Sequence, residues 1–404
     1  MSEDTIRAAG YPWRLYCGRQ VIEQSLSQAV DRAGAKRALV VCSPSVNRRT
    51  DVVRRIEVVL GNRFAGVFDG IAKDSTYASV RAATDAARAA GADLLIAVGG
   101  GSVIVATRAG AIFLAEPGDP FEIMTQYPEG RPAYSPRLLA PKPPIINIPT
   151  TPTGAMNRAG TGLKNPDLDH RMEYFDPKTR PQAIFLDEEA LLSAPSALIR
   201  STATTVFASL VGAMAQTDVN ALVAGDLGHA FRLAHRAYPR LIDELDNPSL
   251  RMDLALAAFL QNRAEDDGFR RSRGGAFAGD YAVSTALHVR YPHVGQGEST
   301  SVVHAPKIRL SSPIDLRSAR HVAEALQVWR DDMDAREAAF TVADTLETLY
   351  TRVGVPTRLR QLDVPCEDLP AVAAETVKNF NANAGMRSPE ARIEAALRLL
   401  EAAY

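Results

Sequence analysis

The sequence predicts an α/β plus all-α chain: an N-terminal doubly wound parallel-sheet, nucleotide-binding domain followed by a C-terminal helical domain. Three observations predict this. Short apolar runs alternate with helical stretches of about a dozen residues through the first half. One of those runs, Leu94 to Val98, stops at Gly99-Gly100-Gly101-Ser102 and passes at once into an amphipathic run from Val103 to Leu114. From about Pro195 the strand patterns cease and helical periodicity takes over. The domain boundary is placed between residues 1–193 and 194–404.

In order, Tyr16-Cys17-Gly18 reads as a short edge strand, and Gln20 to Arg32 carries apolar residues at helical spacing. Arg37 to Cys42 is a nearly continuous apolar strand ending at Ser43-Pro44-Ser45. Asp51 to Leu60 is helical, Phe64 to Phe68 is strand-like, and Ser79 to Ala90 is an alanine-rich helix. Pro141 to Pro149 holds a further strand that runs into Thr150-Thr151-Pro152-Thr153-Gly154-Ala155. Ala183 to Leu186, with Asp187, closes the half. Strands buried on both faces and separated by helices specify a parallel sheet. The second half reads as helices over 196–216, 218–237, 249–265, 277–288, 316–329, 334–353, 368–380 and 389–403, packed as an all-α domain.

Ligands of such sheets gather at the carboxyl ends of the strands. Two ends carry candidates here: Ser43 to Ser45, and Gly99 to Ser102. Glycine lets backbone N–H groups approach an anion, and the following helix start adds unpaired donors and a positive dipole end. A phosphate or pyrophosphate is the natural guest; the alternative is a tight strand-to-helix turn without a ligand. No G-x-G-x-x-G follows the first strand, so this is not the ordinary dinucleotide fingerprint. Where an acidic residue would commonly bind the adenosine ribose stands Ser43, with Arg48 and Arg49 shortly after. A small neutral residue with arginines nearby suits the extra phosphate of NADP; a solvated loop suits the same residues. Thr150 and Thr151 offer hydroxyls to a bound nucleotide, or simply make a threonine-rich turn. Arg270-Arg271-Ser272-Arg273 is a basic loop able to clamp a carboxylate or to solvate a surface.

A net charge of −1 argues against a dominant nucleic-acid or acidic-membrane surface. Three scattered cysteines, Cys17, Cys42 and Cys366, make neither a disulfide framework nor a cysteine zinc site. No basic-then-apolar leader opens the chain and no apolar run nears membrane-spanning length, so a cytoplasmic protein with a small-molecule substrate is expected.

The order of AVGGGS (Ala97 to Ser102), INIPTTPTG (Ile146 to Gly154), the P-x-x-x-x-L-D exit at Pro181 to Asp187, and VGQGEST (Val294 to Thr300), with the closing segment Asn379 to Tyr404, resembles the iron-containing (group III) alcohol dehydrogenase family. That family includes maleylacetate reductases and is related to glycerol dehydrogenases and dehydroquinate synthases. The resemblance implies a dehydroquinate synthase-like architecture, an active site in the cleft between the domains, and a homodimer. It also implies pyrophosphate contacts from Gly99, Gly100, Gly101 and Ser102 and nucleotide contacts from Thr150 and Thr151. Most of the family binds a divalent metal through an Asp, a His on the next helical turn and two further His. Aligned on Leu198 and Thr202, those positions hold Thr205, Ser209, Ser284 and Gln296. Hydroxyl and amide groups do not replace a carboxylate and three imidazoles at a transition metal. The family's Asp and Lys after the glycine turn are Val105 and Arg108.

The resulting expectation is a metal-independent reductase that uses NAD(H) or NADP(H) on a small, acidic carbonyl or enone substrate, similar in logic to maleylacetate reductases. His288 supplies a proton in place of a Lewis acid, because its family position lies near the nicotinamide and an imidazole titrates near neutral pH. Its alternative is a packed helix histidine. Arg158, Lys164 and the Arg270 to Arg273 loop are candidates for holding an acidic substrate. Two rivals stand beside this reading. One is a non-redox lyase, dehydratase or cyclase on the same scaffold in a specialised biosynthetic pathway; the other is a non-catalytic assembly protein.

Overall fold

The computed structural model describes residues 6, 8–128, 131–168, 170–270, 275–377 and 388–404. The chain divides into two compact units. An α/β unit comprises Tyr11–Pro195 with Asp246–Ala255, and a helical unit comprises Met1–Gly10, Ser196–Leu245 and Leu256–Tyr404. Arg271, Ser272 and Arg273 of the basic loop, and the first residues of the Asn379 to Tyr404 segment, lie outside the described residues.

The α/β unit runs β1 (Arg14–Gly18), α1 (Val21–Arg32), β2 (Ala38–Cys42), α2 (Pro44–Arg49), α3 (Val52–Leu60), β3 (Phe64–Phe68), α4 (Tyr77–Ala89), β4 (Leu94–Gly99), α5 (Gly101–Ala115), α6 (Pro120–Ile123), β5 (Ile145–Pro149), β6 (Gly160–Leu163), β7 (Met172–Phe175), β8 (Ala183–Asp187) and α7 (Glu188–Leu192). Six strands form one sheet in the order β1-β8-β5-β4-β2-β3, each neighbouring pair parallel. β1 is the edge strand the sequence predicted. β2, β4, β5 and β8 are buried along their whole length, which explains their largely apolar runs; the polar members, Asn147 of β5 and Asp187 of β8, are hydrogen-bonded. After β3 the chain returns past β2 and adds β4 on its other side. The direction of strand addition therefore reverses between β2 and β4, and ligands of doubly wound sheets bind in the crevice at such a reversal.

The structure corrects one expectation in this half and adds one element. Residues 103–114 are not amphipathic: nearly every side chain from Val103 to Phe113 is buried, so α5 is a central helix. The stretch 160–175 holds an antiparallel pair, β6 with β7, that no apolar run announced.

The helical unit carries α8 (Ser196–Met214), α9 (Ala221–Ala237), the second half of α10 (Pro248–Asp266), α11 (Tyr281–Arg290), α12 (Gln296–Leu310), α13 (Leu316–Ala325), α14 (Ala335–Val353), α15 (Leu369–Glu375) and α16 (Pro389–Ala403). The helix expected from Phe277 starts at Tyr281, where the Asp280 side chain accepts from Val283 N at 3.1 Å. The helix expected to reach Trp329 ends at Ala325, just before Gln327 takes a positive φ of 63°. α8 is long and apolar enough to cross a bilayer by length and composition alone, contrary to the sequence reading. Two thirds of it, 67%, is buried inside the protein, as for a core helix.

His304 of α12 is enclosed in this unit, with Nδ1 2.7 Å from the Tyr350 hydroxyl and Nε2 2.8 Å from the Phe277 carbonyl. Burial pushes its imidazole down to about 4; the Phe277 carbonyl opposes the shift and Lys307 adds to it. An unfolded imidazole titrates near 6.5, so between those values the unfolded chain takes up a proton that the fold refuses. Stability is therefore expected to be complete above neutrality and to fall by about 2 kcal/mol between pH 7 and pH 5 on this account. Urea unfolding at the two pH values checks it, and His304→Gln should flatten that acid limb.

Candidate functional site

The glycine turn sits at the carboxyl edge of the sheet. β4 ends at Gly99, whose neighbour across the reversal is the tip of β2: Cys42 pairs with Val98, which sets Ser43 beside Gly99. α5 begins at Gly101 after an N-cap, Gly100, that has no side chain to cap it. Val103 N and Ile104 N reach back to the Gly100 carbonyl at 3.1 and 3.2 Å. The N–H groups ahead of them have no partner within the helix and face outward with the positive end of the dipole.

The loop after β5 closes the other side of the turn. Thr150 N donates to the Gly99 carbonyl at 3.0 Å. A Cβ built on Gly100 would lie 3.2 Å from Thr151 Oγ1, and one on Gly101 would lie 3.0 Å from Thr153 Oγ1, so the two loops touch where the glycines stand. Thr151 is wholly buried, and its hydroxyl has no hydrogen-bond partner. A buried, unmade hydroxyl bond costs free energy, and natural proteins seldom leave one without a reason.

Ser102 is already partly engaged. Its Oγ accepts from Asp74 N at 3.1 Å, and its carbonyl accepts from Ser75 Oγ at 2.6 Å. Asp74 and Ser75 both have positive φ, 66° and 53°, an unfavourable conformation for two consecutive non-glycine residues. The sequence reading missed this loop, although Asp74 is a residue type that tolerates the left-handed region.

Val105 and Arg108 hold structure in place. The Thr161 hydroxyl donates to the Val105 carbonyl at 2.7 Å. Arg108 is fully buried, and its guanidinium donates to the carbonyls of Gly160 and, at 2.6 Å, Ala155. Burial, then the charges of Arg158 and Arg180, push it down to about 9. Arg108 thus pins the loop that carries Thr150 to Ala155 onto α5.

The remaining candidates lie in the helical unit. On α8, Thr205 Oγ1 donates to the Ser201 carbonyl at 3.3 Å, and Ser209 Oγ accepts from Gln261 Nε2 at 2.8 Å. Ser284 of α11 is hydrogen-bonded to Ser299 Oγ at 2.7 Å and Thr300 Oγ1 at 3.2 Å, and Thr300 donates onward to the Gln296 carbonyl at 2.7 Å. Hydroxyl contacts therefore link Ser284 to the start of α12. Ser209 is tied instead to Gln261 of α10. His288 is 4% exposed, with Nδ1 3.3 Å from the Val294 carbonyl. His293 and His304 make separate hydrogen bonds, His293 to the Leu362 carbonyl at 2.9 Å. Among the described residues no three His, Cys, Asp or Glu side chains converge as a metal set would.

Residues 12–188 match the family model described as iron-containing alcohol dehydrogenase. Maleylacetate reductase 2 of Cupriavidus pinatubonensis is 28% identical over 296 residues, spanning 73% of this chain and 69% of the relative. Lactaldehyde reductase of Escherichia coli K12 is 23% identical over 391 residues, 94% of this chain and 95% of the relative. The crystal structure of a 1,3-propanediol oxidoreductase shares the fold at a TM-score of 0.82 and 20% identity, over 98% of this chain and 100% of its own.

Proposed function

We propose, for a chain related to the iron-containing alcohol dehydrogenases, an NAD(P)H-dependent reductase that acts on a small acidic carbonyl or enone without a catalytic metal. The observation that carries the nucleotide part is the unpartnered, buried Thr151 hydroxyl beside the glycine turn, at the reversal point of a parallel sheet. In this reading Gly99, Gly100, Gly101 and Ser102 hold the pyrophosphate with backbone N–H groups and the α5 dipole. Thr150 and Thr151 complete the nucleotide's contacts. A nicotinamide nucleotide bound there supplies the hydride. The relatives, named as reductases, support a redox reaction.

The donor set does not suit the family's metal. Thr205, Ser209, Ser284 and Gln296 offer neutral hydroxyls and an amide, and the three hydroxyls already hydrogen-bond to protein groups. Such groups leave a divalent transition ion's charge uncompensated. The developing oxyanion then needs a proton or a fixed cation from the chain. We assign the proton to His288, buried on α11 with Nδ1 3.3 Å from the Val294 carbonyl. Arg158 and Lys164 are the candidates for the substrate's acidic group.

The test is Thr151→Val, which keeps the shape and removes the unpaired hydroxyl. It is expected to leave thermal stability unchanged or slightly raised, and to weaken NADH or NADPH binding about tenfold. Unaltered affinity, or no nucleotide binding by the unmodified protein, overturns the reading.

A further inference from the structure

We infer that a cavity at the C-terminal end of α5 binds a small organic carboxylate with an apolar body. The site is separate from the nucleotide site proposed above and does not depend on it. α5 spans Gly101–Ala115, so the cavity lies about 21 Å along the helix from the glycine turn. Arg81, Thr84 and Arg88 reach it from one face of α4, at the i, i+3 and i+7 spacing that aligns side chains on a helix. Phe113 of α5, Pro117 after it and Pro120 of α6 form the apolar walls. The cavity encloses about 260 Å³, room for a molecule of roughly eight or nine non-hydrogen atoms.

The charged groups around the cavity leave one cation open. Glu116, which also lines it, is paired with Lys142 and accepts from Ala140 N at 3.0 Å. Arg88 is engaged: it stands 3.2 Å from Asp85 and donates to the Phe113 carbonyl at 2.7 Å. Asp119 caps α6, its Oδ1 accepting from Phe121 N at 2.7 Å. Thr84 gives its hydroxyl proton to the Val80 carbonyl at 2.8 Å. Arg81 makes no ion pair among the described residues, and Asp85 and Asp119 act on it only at a distance. Its Nη1 donates to the Tyr77 hydroxyl at 3.0 Å, and its guanidinium lies 5.8 Å from the centre of the Tyr77 ring. Tyr77 thus orients the guanidinium and leaves most of its N–H donors for a ligand. A guanidinium forms paired, charge-assisted hydrogen bonds with a planar carboxylate. The prolines have no N–H to offer, so the rest of the ligand is held by apolar contact with them and with Phe113.

The experiment is a calorimetric titration of the full chain with benzoate and, separately, with inorganic phosphate at equal ionic strength. Benzoate is expected to bind with a Kd of about 1 mM. Phosphate should bind about tenfold more weakly or worse, because it gains nothing from the apolar walls. Arg81→Gln, at an exposed position on α4, should weaken benzoate about tenfold, and Arg81→Lys less, with the melting temperature unchanged in both. No benzoate binding, benzoate binding that Arg81→Gln leaves unaltered, or phosphate binding as tight as benzoate overturns the inference. Thr151→Val, which tests the nucleotide site, should leave benzoate affinity unchanged. A loss of benzoate binding in that variant would put the carboxylate at the nucleotide site and likewise overturn the inference.

Discussion

A Gly297→Ala protein is expected to lose about 3 kcal/mol or more of stability, although the change adds one methyl group. An alanine Cβ at this position would lie 2.0 Å from the Ser201 carbonyl oxygen and 2.6 Å from Ser201 C and Cα. Those are backbone atoms of α8, so no side chain can rotate away and one helix must move off the other. The contact is also bonded: Gly297 N donates to Ser201 Oγ at 3.2 Å, and Ser201 Oγ donates to Glu298 Oε2 at 2.6 Å. Moving the helices apart strains both hydrogen bonds as well as the packing. Urea unfolding of the variant beside the unmodified chain measures the loss, and wild-type stability would contradict the described packing. The result also bears on the VGQGEST stretch. Its second glycine is explained by helix-to-helix contact, whatever chemistry the site performs.

Lys142→Ala is expected to cost about 3–5 kcal/mol, the range for removing one partner of a buried ion pair. Lys142 is wholly buried with Glu116 and Asp176, 2.9 Å from the latter, and the two carboxylates come from the end of α5 and the residue after β7. Burial alone would raise the Asp176 carboxyl, but hydrogen bonds and charge from Lys142, with Lys178, hold it below the usual carboxylate range. Without Lys142 that carboxylate keeps Lys178 at 3.0 Å, while Glu116 loses the cation beside it and keeps the Ala140 N–H at 3.0 Å. Lys142→Met should be less damaging than Lys142→Ala, because its chain fills the same space, though the buried charges remain. Chemical unfolding of the three proteins gives the order: wild type, Met, Ala.

Much of the α/β unit was legible because its central strands are buried on both faces. Ala38–Cys42 and Leu94–Gly99 appear as unbroken apolar runs, and Ile145–Pro149 as one broken only by Asn147, with glycine, proline or hydroxyl residues at their ends. The β6–β7 pair was not legible, since Gly160–Leu163 and Met172–Phe175 are four residues each and alternate in burial. In the helical half, α12 went unread for two physical reasons. Its residues from Gly297 to Ile308 are buried nearly all round, which erases the one-sided periodicity that marks a surface helix, and Pro306 interrupts its hydrogen-bond ladder.

The site divides in the same way. Gly99 to Ser102 stood out because three consecutive glycines and a serine end a buried apolar run and open a helix. Thr153, Asp74 and Ser75 meet that turn from segments distant in sequence, and nothing in their local pattern marks the meeting. Arg108 read, with Val105, as a departure from the family at the glycine turn; the structure makes it the buried pin of the Thr150 to Ala155 loop. His288, the hydroxyl positions of α8 and α11, and Gln296 of α12 came from the family resemblance and not from their local pattern.

The most direct measurement of the central claim is a nicotinamide nucleotide titration of protein treated with a strong chelator, with metal content determined on the same sample. The account predicts saturable binding of NADPH or NADH that is unchanged by the chelator, with metal far below one equivalent. Loss of nucleotide binding on chelation, or one tightly held equivalent of iron or zinc, would contradict it.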